Sequence, residues 1–324
     1  MRRTLICLAL ALAPAAAIAQ ARPTAPVDTA KLTFAWPATV RARVEAQRYR
    51  ERHSGGKHDT TNIRLSYQMT AQRAGDEYVV RFHDFQLPEN VRKAAAPPQV
   101  AAFVEQAGAM APSYRVSAAG EFRRLESPER LRALIDSLLN VTTAKGGPPP
   151  PQLKQFMGTM TSDAVLAASA AQDWNALVGT WAGAELEVGE VYGTEGEEPV
   201  PIFQNATVRF EYEFSALRRM SCDSVKAPTA RDCIELQMVS KPDTAAMRQL
   251  LQRFMGSLVP DVAKEMGFVD FDVENVVTLV ARPQSLLPVS LVVTKAVTGA
   301  VRSQGKTEQV SQLDVKSQRY FYKE

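Results

Sequence analysis

Apolar and polar residues alternate along several stretches of this sequence. The alternation is clearest over residues 40–47, 63–71, 78–83 and 208–214, where every second side chain is apolar. Successive side chains of a β-strand point to opposite faces of its sheet, so this period of two predicts half-buried antiparallel strands. Each predicted strand therefore has one dry face and one wet face.

Other apolar segments, bounded by turn residues, predict further strands. We expect them over residues 114–125, 186–192, 234–238, 268–281, 288–301 and 307–322. The acidic stretch from Gly193 to Pro201 instead predicts a loop, because it combines glycine, proline and three glutamates.

Helical patterns separate the predicted strands. Ser127, Pro128 and Glu129 predict a helix start, because serine caps the first turn, proline fits there, and glutamate favours the positive end of the helix dipole. Apolar stripes with helical spacing predict further amphipathic helices. These are expected over residues 99–106, 153–160, 162–181 and 243–267.

The strands and helices together predict the α+β class. The expected architecture is a large curved antiparallel β-sheet of about ten strands, covered by several amphipathic helices. Each half of the chain begins with three strands followed by a helix. Residues 22–324 are therefore expected to form a single domain. This domain could consist of two pseudo-equivalent halves that meet near residue 183.

The first 21 residues have the layout of a cleavable secretory signal peptide. Arg2 and Arg3 precede a short apolar run, small residues follow it, and we expect cleavage after Ala19 or Ala21. The apolar run is too short to cross a bilayer, which needs about 20 apolar residues. The sequence predicts export to the periplasm, or to the extracellular medium, and no transmembrane segment in the mature chain.

Cleavage also changes the charge of the protein. Loss of Arg2 and Arg3 removes two of 38 basic residues against 35 acidic ones, so the formal net charge falls from +3 to +1. A nearly neutral chain lacks the basic excess of nucleic-acid-binding proteins, which excludes nucleic acid as a partner. The pairs Arg41/Arg43 and Arg48/Arg50 are interpreted as the wet face of a strand.

Two cysteines, Cys222 and Cys233, remain after loss of the signal segment. An even number of cysteines in an oxidising compartment predicts a disulfide. The residues between them are polar and lie between two predicted strands, so the bridge would close a long hairpin. The spacing does not match a C-x-x-C redox or metal motif.

Candidate catalytic and metal-binding residues are sparse. His53 and His58 flank a glycine-containing connection, His83 lies on a predicted strand, and Asp59 follows His58. This spacing differs from that of a helical zinc pair, so we predict solvated histidines and no metal site. The sequence contains no nucleophile elbow, P-loop or dinucleotide fingerprint, so no catalytic residue and no cofactor is predicted.

Large flexible apolar side chains are concentrated on two of the predicted helices. Methionine and phenylalanine suit an adaptable wall around an apolar ligand, although a stripe of this kind also fills an ordinary core. The candidate wall residues are Phe156, Met157, Met160, Met247, Phe254 and Met255.

The order of the predicted elements resembles that of the half-barrel lipid and lipoprotein carriers of the bacterial periplasm. In those carriers a curved antiparallel sheet wraps around helices, and the resemblance would span most of the mature chain. It implies an apolar small molecule, a lipid or an envelope component as the ligand.

Three classes of function follow, in decreasing order of support. The first is an exported binding protein for an apolar molecule or envelope component, and the second is an interaction or assembly factor that acts on envelope proteins. An internal cavity favours the first, and an exposed apolar groove or an unpaired strand edge favours the second. The third is a hydrolase, which would need carboxylates or histidines converging on one cleft.

Overall fold

Long strands make up most of this protein. The computed structural model describes residues 27–86, 112–133, 158–159, 161–200, 203, 206–223, 225–258, 266–303 and 305–322. Of these residues, 62% lie in strands and 17% in helices. The strands are β1 (Thr29–Lys31), β2 (Thr39–Ser54), β3 (Lys57–Ala74), β4 (Glu77–Gln86), β5 (Ser113–Ser117), β6 (Phe122–Glu126), β7 (Glu185–Glu187), β8 (Val191–Val200), β9 (Ala206–Met220), β10 (Cys233–Pro242), β11 (Met266–Ala281), β12 (Pro288–Ser303) and β13 (Lys306–Tyr322).

One antiparallel sheet contains eleven of these strands, in the order β6-β5-β4-β3-β2-β13-β12-β11-β10-β9-β8. Strands β1 and β7 pair separately. Neighbours in the large sheet are also neighbours along the chain, except at its centre, where β2 pairs with β13. This central pair joins two meanders, so strands from both sides of residue 183 belong to one sheet.

The hydrophobic core covers one face of the sheet near one end of the strands. Val44 on β2, Tyr320 on β13 and Leu279 on β11 are among the buried residues of this face. An extended segment before β2 covers them with Leu32, Phe34 and Trp36, all buried. The face that carries this cluster is called the core face below.

Tryptophan packing fixes the cover of the core. The ring of Trp174 makes edge-on contacts with Trp36 at 5.5 Å and with Phe34 at 6.0 Å between centroids. Its indole Nε1 donates a hydrogen bond to the carbonyl of Gly120 at 2.7 Å. Gly120 has a φ of +90°, and a Cβ there would lie 2.9 Å from Phe34, so only glycine fits this approach.

The helices confirm some of the sequence predictions. A helix begins at residue 128, as the Ser127–Glu129 pattern predicts, and is described as far as residue 133. Helix α1 (Asp163–Trp174) starts at Ser162, whose side chain accepts a hydrogen bond from the backbone of Val165, and a π-helical turn over Asn175–Gly179 extends it. Helix α2 (Thr244–Leu258) connects β10 to β11.

The predicted α+β class, with several amphipathic helices covering the sheet, is wrong. The strands are longer than their apolar patterns, since β2 and β3 continue through polar residues as far as Ser54 and Lys57. The sheet therefore takes up most of the described chain. Much of the cover comes from the extended segment, and within the described part of the chain the main contacts of α2 are with β9, β10 and β11.

The acidic stretch after Gly193 is a strand and not the predicted loop. It forms β8, which pairs with β9 over its full length at one edge of the sheet. Its glutamates are mostly exposed. Its apolar and polar residues do not alternate, because an edge strand with few buried side chains does not require an apolar face. Period-two patterning detects half-buried strands, and β8 is not one.

The predicted disulfide is confirmed. Cys222 and Cys233 are bonded, with their Cα atoms 5.0 Å apart. Cys233 is the first residue of β10 and pairs with Met220 at the end of β9. The bridge therefore closes the connection between two adjacent strands, as the sequence predicts.

Several predictions concern residues outside the described part of the chain. The predicted signal peptide, residues 1–21, and the predicted helix over residues 99–106 belong to this group. The candidate ligand-wall residues Phe156, Met157 and Met160 lie outside it as well.

Candidate functional site

The three described residues of the predicted ligand wall lie on α2. Met247, Phe254 and Met255 are half-buried, and Leu250 on the same helix is buried. The ring of Phe254 contacts that of Phe203 edge-on, with centroids 5.5 Å apart. These side chains lie where α2 packs against β9, β10 and β11, so their apolar stripe covers the sheet.

The core face continues along the strands beyond the hydrophobic core. Directly paired residues of neighbouring strands lie on the same face of a sheet, so the register defines the rows that follow the core. The rows of this distal face run across β2, β13, β12 and β11 in turn. They are Arg48–Lys316–Val293–Val277, Arg50–Asp314–Lys295–Asn275 and Arg52–Gln312–Val297–Val273.

Arg48 and Arg50 are exposed, as their interpretation as a wet strand face predicts, but the register places them on the core face. Val44 lies in the core, and a period of two places Arg48 and Arg50 on the same face as Val44. Arg41 and Arg43 have the opposite parity and lie on the other face. The parity of the strand contained this information, since β2 continues without a bulge in its pairing with β13.

Asp314 organises the charges of the distal face. Its carboxylate accepts hydrogen bonds from Arg48 Nε at 3.0 Å and from Arg50 Nη2 at 2.9 Å. The Asp314 side chain is 9% exposed, whereas each arginine side chain is 45% exposed. The hydrogen bonds from Arg48, then those from Arg50, lower the pKa of the Asp314 carboxyl to about 2, although burial opposes them. Two arginines are thereby fixed on an otherwise open surface.

A second carboxylate marks the boundary between the core and the distal face. Asp173 on α1 is exposed to solvent, yet desolvation by the surrounding protein raises its pKa, and the positive charge of Lys316 opposes this rise. Its electrostatic neighbours include Tyr67, Tyr114 and Tyr320 of the core.

A groove of about 720 Å³ lies at the far end of the distal face. Its volume falls within the usual range of small-molecule sites, roughly 300 to 1,000 Å³. The apolar lining consists of Phe268, Val297, Val301 and Val310. The polar lining consists of Arg52, His53, Ser54, Lys306, Glu308, Ser311 and Gln312. We call this cavity the distal groove.

The distal face carries an excess of positive charge. Arg48, Arg50, Arg52, Lys295 and Lys316 lie in its rows, and Asp314 is the carboxylate that pairs with two of them. Within the described part of the chain, no carboxylate forms an ion pair with Arg52 or Lys295. Cationic side chains therefore border apolar ones on one open surface, a combination that the sequence analysis did not identify.

Two of the three histidines, His53 and His58, form a cluster that the sequence analysis did not predict. His53 on β2 lies directly opposite His58 on β3, and both contact the carboxylate of Glu51. His83, in contrast, contacts Asp84 on its own strand. The cluster lies on the opposite face to Arg50 and Arg52, because residues 51 and 53 have the other parity on β2.

Comparisons with known proteins assign no family. No protein-family model and no curated protein matches the sequence. Among solved structures, a chain from a study of lipid–protein interactions in lipovitellin matches 89% of this chain with 7% identity and a TM-score of 0.36. This chain spans 25% of that lipovitellin chain.

Two outer-membrane and attachment proteins also match. A loop-deletion mutant of OmpT, an outer membrane protein of Vibrio cholerae, has 7% identity and a TM-score of 0.18, with 88% of this chain and 100% of that chain covered. Ail, the attachment invasion locus protein of Yersinia pestis, has 5% identity and a TM-score of 0.12, with the same coverage. At these identities and TM-scores, the matches assign neither a fold family nor a function.

None of the described helices is both long enough and apolar enough to cross a bilayer.

Proposed function

We propose that this protein binds an amphipathic molecule with an anionic group on the distal face of its sheet. The observation that carries this proposal is the position of the cationic rows beside an apolar groove on one open surface. The apolar part of such a molecule would occupy the distal groove, and its anionic group would contact the arginine and lysine side chains. If residues 1–21 direct export as predicted, binding takes place outside the cytoplasm.

The apolar half of the proposed site supports burial of a hydrocarbon segment. Val297, Val301 and Val310 come from the neighbouring strands β12 and β13, and Phe268 comes from β11. Burial of apolar surface contributes about 25 cal/mol per Å², so contact with these four residues favours an apolar partner over water. The groove is open, which allows the polar end of a ligand to remain hydrated.

The cationic half of the site supports recognition of a carboxylate or phosphate. The guanidinium group of arginine carries several N–H donors in one plane, and two of them can bind two oxygens of a carboxylate or a phosphate. Arg52 lines the groove, and Arg48 and Arg50 are held in place by Asp314. The fixed arginines lose less conformational entropy on binding than free surface side chains would.

The edges of the sheet give less support to an assembly factor that pairs through strand addition. In the described sheet the edge strands are β6 and β8. Strand β8 contains Glu195, Glu197, Glu198 and Pro199. Charges and proline on an edge oppose pairing with another chain.

Binding of fluorescent probes to the purified chain, after extraction with organic solvent, tests the proposal. A long-chain fatty acid should bind more tightly than the fatty alcohol of the same length, because only the acid engages the arginines. Arg52→Glu should weaken binding of the fatty acid by about tenfold or more. The substitution removes one charged hydrogen bond and adds repulsion between the new carboxylate and that of the acid.

Arg64→Glu is the matched control, because Arg64 is an exposed arginine on β3 that lies on the opposite face. It should leave the affinity for the fatty acid unchanged. If native mass spectrometry finds no bound amphiphile and neither probe binds, the proposal is wrong. Equal binding of acid and alcohol, with no effect of Arg52→Glu, would contradict the anionic part of it.

A further inference from the structure

A tight turn brings two histidines of the chain together. Gly55 and Gly56 connect β2 to β3 and have φ values of +56° and +73°, which glycine adopts without strain. This two-residue turn pairs Ser54 with Lys57, and the next pair of the ladder is His53 with His58. The two imidazole rings are stacked, with centroids 4.2 Å apart and planes inclined by 6°.

A carboxylate completes the cluster. Glu51 lies two residues before His53 on β2 and therefore on the same face of the sheet. Its Oε1 lies 2.8 Å from His53 Nε2 and 3.0 Å from His58 Nε2. The other oxygen, Oε2, accepts a hydrogen bond from the hydroxyl of Tyr49 at 2.8 Å, which fixes the orientation of the carboxylate.

We propose that Glu51, His53 and His58 form a binding site for a divalent transition-metal ion of the zinc class. Imidazole nitrogens and a carboxylate oxygen are ligands that zinc uses in proteins. The three candidate ligand atoms all lie within 4.8 Å of one another. Solvent would supply the remaining ligand, because both histidine side chains are about half exposed.

The observed distances are close to those of a tetrahedral zinc site. Zinc–nitrogen and zinc–oxygen bonds of about 2.0 to 2.2 Å place neighbouring ligand atoms roughly 3.3 Å apart. The oxygen–nitrogen distances of 2.8 and 3.0 Å are a few tenths of an ångström shorter. Rotations of the two exposed histidines and the half-buried Glu51 would bring these atoms to the distances of a zinc site.

The cluster lies on the opposite face of β2 to Arg50 and Arg52, because residues 51 and 53 have the other parity on this strand. His53 also lines the distal groove, whereas Glu51, His58 and Tyr49 do not. Variants at His58 and Tyr49 therefore test the metal site separately from the proposed ligand function.

Isothermal titration of the purified, chelator-treated chain with zinc chloride tests the metal site. One ion per chain is expected, and cobalt(II) at the same site should give the visible spectrum of a low-coordinate nitrogen and oxygen site. His58→Gln should weaken zinc binding by more than the roughly tenfold effect that loss of an outer-shell partner produces. Tyr49→Phe, which removes only the hydrogen bond to Glu51, should weaken it by about tenfold.

His83→Gln is the control, since the chain has three histidines and His83 is the one outside the cluster. It should change neither the stoichiometry nor the affinity. Zinc binding that survives His58→Gln, or that His83→Gln weakens equally, would overturn the assignment. His58 is exposed, and Tyr49 and His83 are only half-buried, so circular dichroism should show unchanged folding. Failure of amphiphile binding leaves the zinc result unaffected.

Discussion

The proximal and distal parts of the core face share the strands β2, β11, β12 and β13 but differ in what covers them. On the proximal part, Val44, Leu279 and Tyr320 are buried beneath the extended segment and α1. On the distal part, the same strands carry Arg50, Lys295 and a half-open groove. The comparison shows that a single strand can contribute to a packed core over one half of its length and to a candidate ligand surface over the other.

Trp174→Ala should have the largest effect, because it removes the residue that joins the cover to the proximal face. The side chain is fully buried, and replacing a buried tryptophan with alanine costs about 3 to 5 kcal/mol of unfolding free energy. Urea denaturation measures this loss. Phe321→Ala, at an exposed aromatic residue on β13, should cost less than about 1 kcal/mol. Equal losses would remove the distinction between a packed and an open region.

Replacing both cysteines with alanine should also destabilise the protein. The disulfide closes a loop with a sequence separation of 11 residues, for which chain entropy gives about 3 kcal/mol. Cys233 is followed by Ile234 of the core, so the loss should appear in global unfolding. Thermal denaturation with and without reductant measures it. A reductant effect on the double-alanine variant would show that another bond is responsible.

Asp314→Asn should have an intermediate effect, on the distal face. The Asp314 pKa of about 2 lies below the ordinary value of 3.8, so the ionised carboxylate stabilises the fold above about pH 4. This contribution, about 2 kcal/mol, should disappear as the pH falls from about 4 to about 2. Urea denaturation at several pH values should show the loss in the native protein and a flatter profile in the variant.

Asp272→Asn is a control for Asp314→Asn, because Asp272 is an exposed carboxylate on β11. It should leave the acid dependence of stability unchanged. A native profile that stays flat between pH 4 and pH 2 would contradict the role given to the Asp314 ion pairs.

Val297→Ala should have the smallest effect on stability. Val297 is half-buried in the distal groove, so its truncation should cost less than about 1 kcal/mol. Leu279→Ala, on the proximal part of the same face, should cost about 2 to 5 kcal/mol. Urea denaturation of the two variants compares the regions directly. A larger cost at Val297 than at Leu279 would indicate that the distal face is a closed core.

The sequence allowed the half-buried strands and the disulfide to be predicted, because both depend on local patterns. The alternation around Val208 and Phe210 marked β9 correctly, and the two cysteines predicted their bond. The edge strand β8 could not be recognised, because few of its side chains are buried and its sequence therefore lacks the alternation of apolar and polar residues. The proportion of sheet was underestimated for the same reason, because the polar ends of β2 and β3 carry no apolar signal.

The candidate sites depend on register, which the sequence shows only in part. The parity of β2 would have placed Arg48 and Arg50 on the core face, but their pairing with Asp314 joins strands from opposite ends of the chain. The Gly55–Gly56 turn is a local signal for a hairpin, and it would have placed His53 opposite His58. The depth of the distal groove depends on four strands at once and has no local signal.

The pairing of β2 with β13 has a consequence for the order in which the protein folds. The ion pair of Arg48 with Asp314 joins residues 266 positions apart, at the centre of the sheet. Each meander can form from local hairpins, but their union requires closure of almost the whole chain, and such contacts slow folding. A chain synthesised from its N-terminus therefore exposes the unpaired edge of β2 until β13 has been made. The last strand completes the sheet, and the time before its arrival is the period in which the chain is most open to aggregation or to capture by a chaperone.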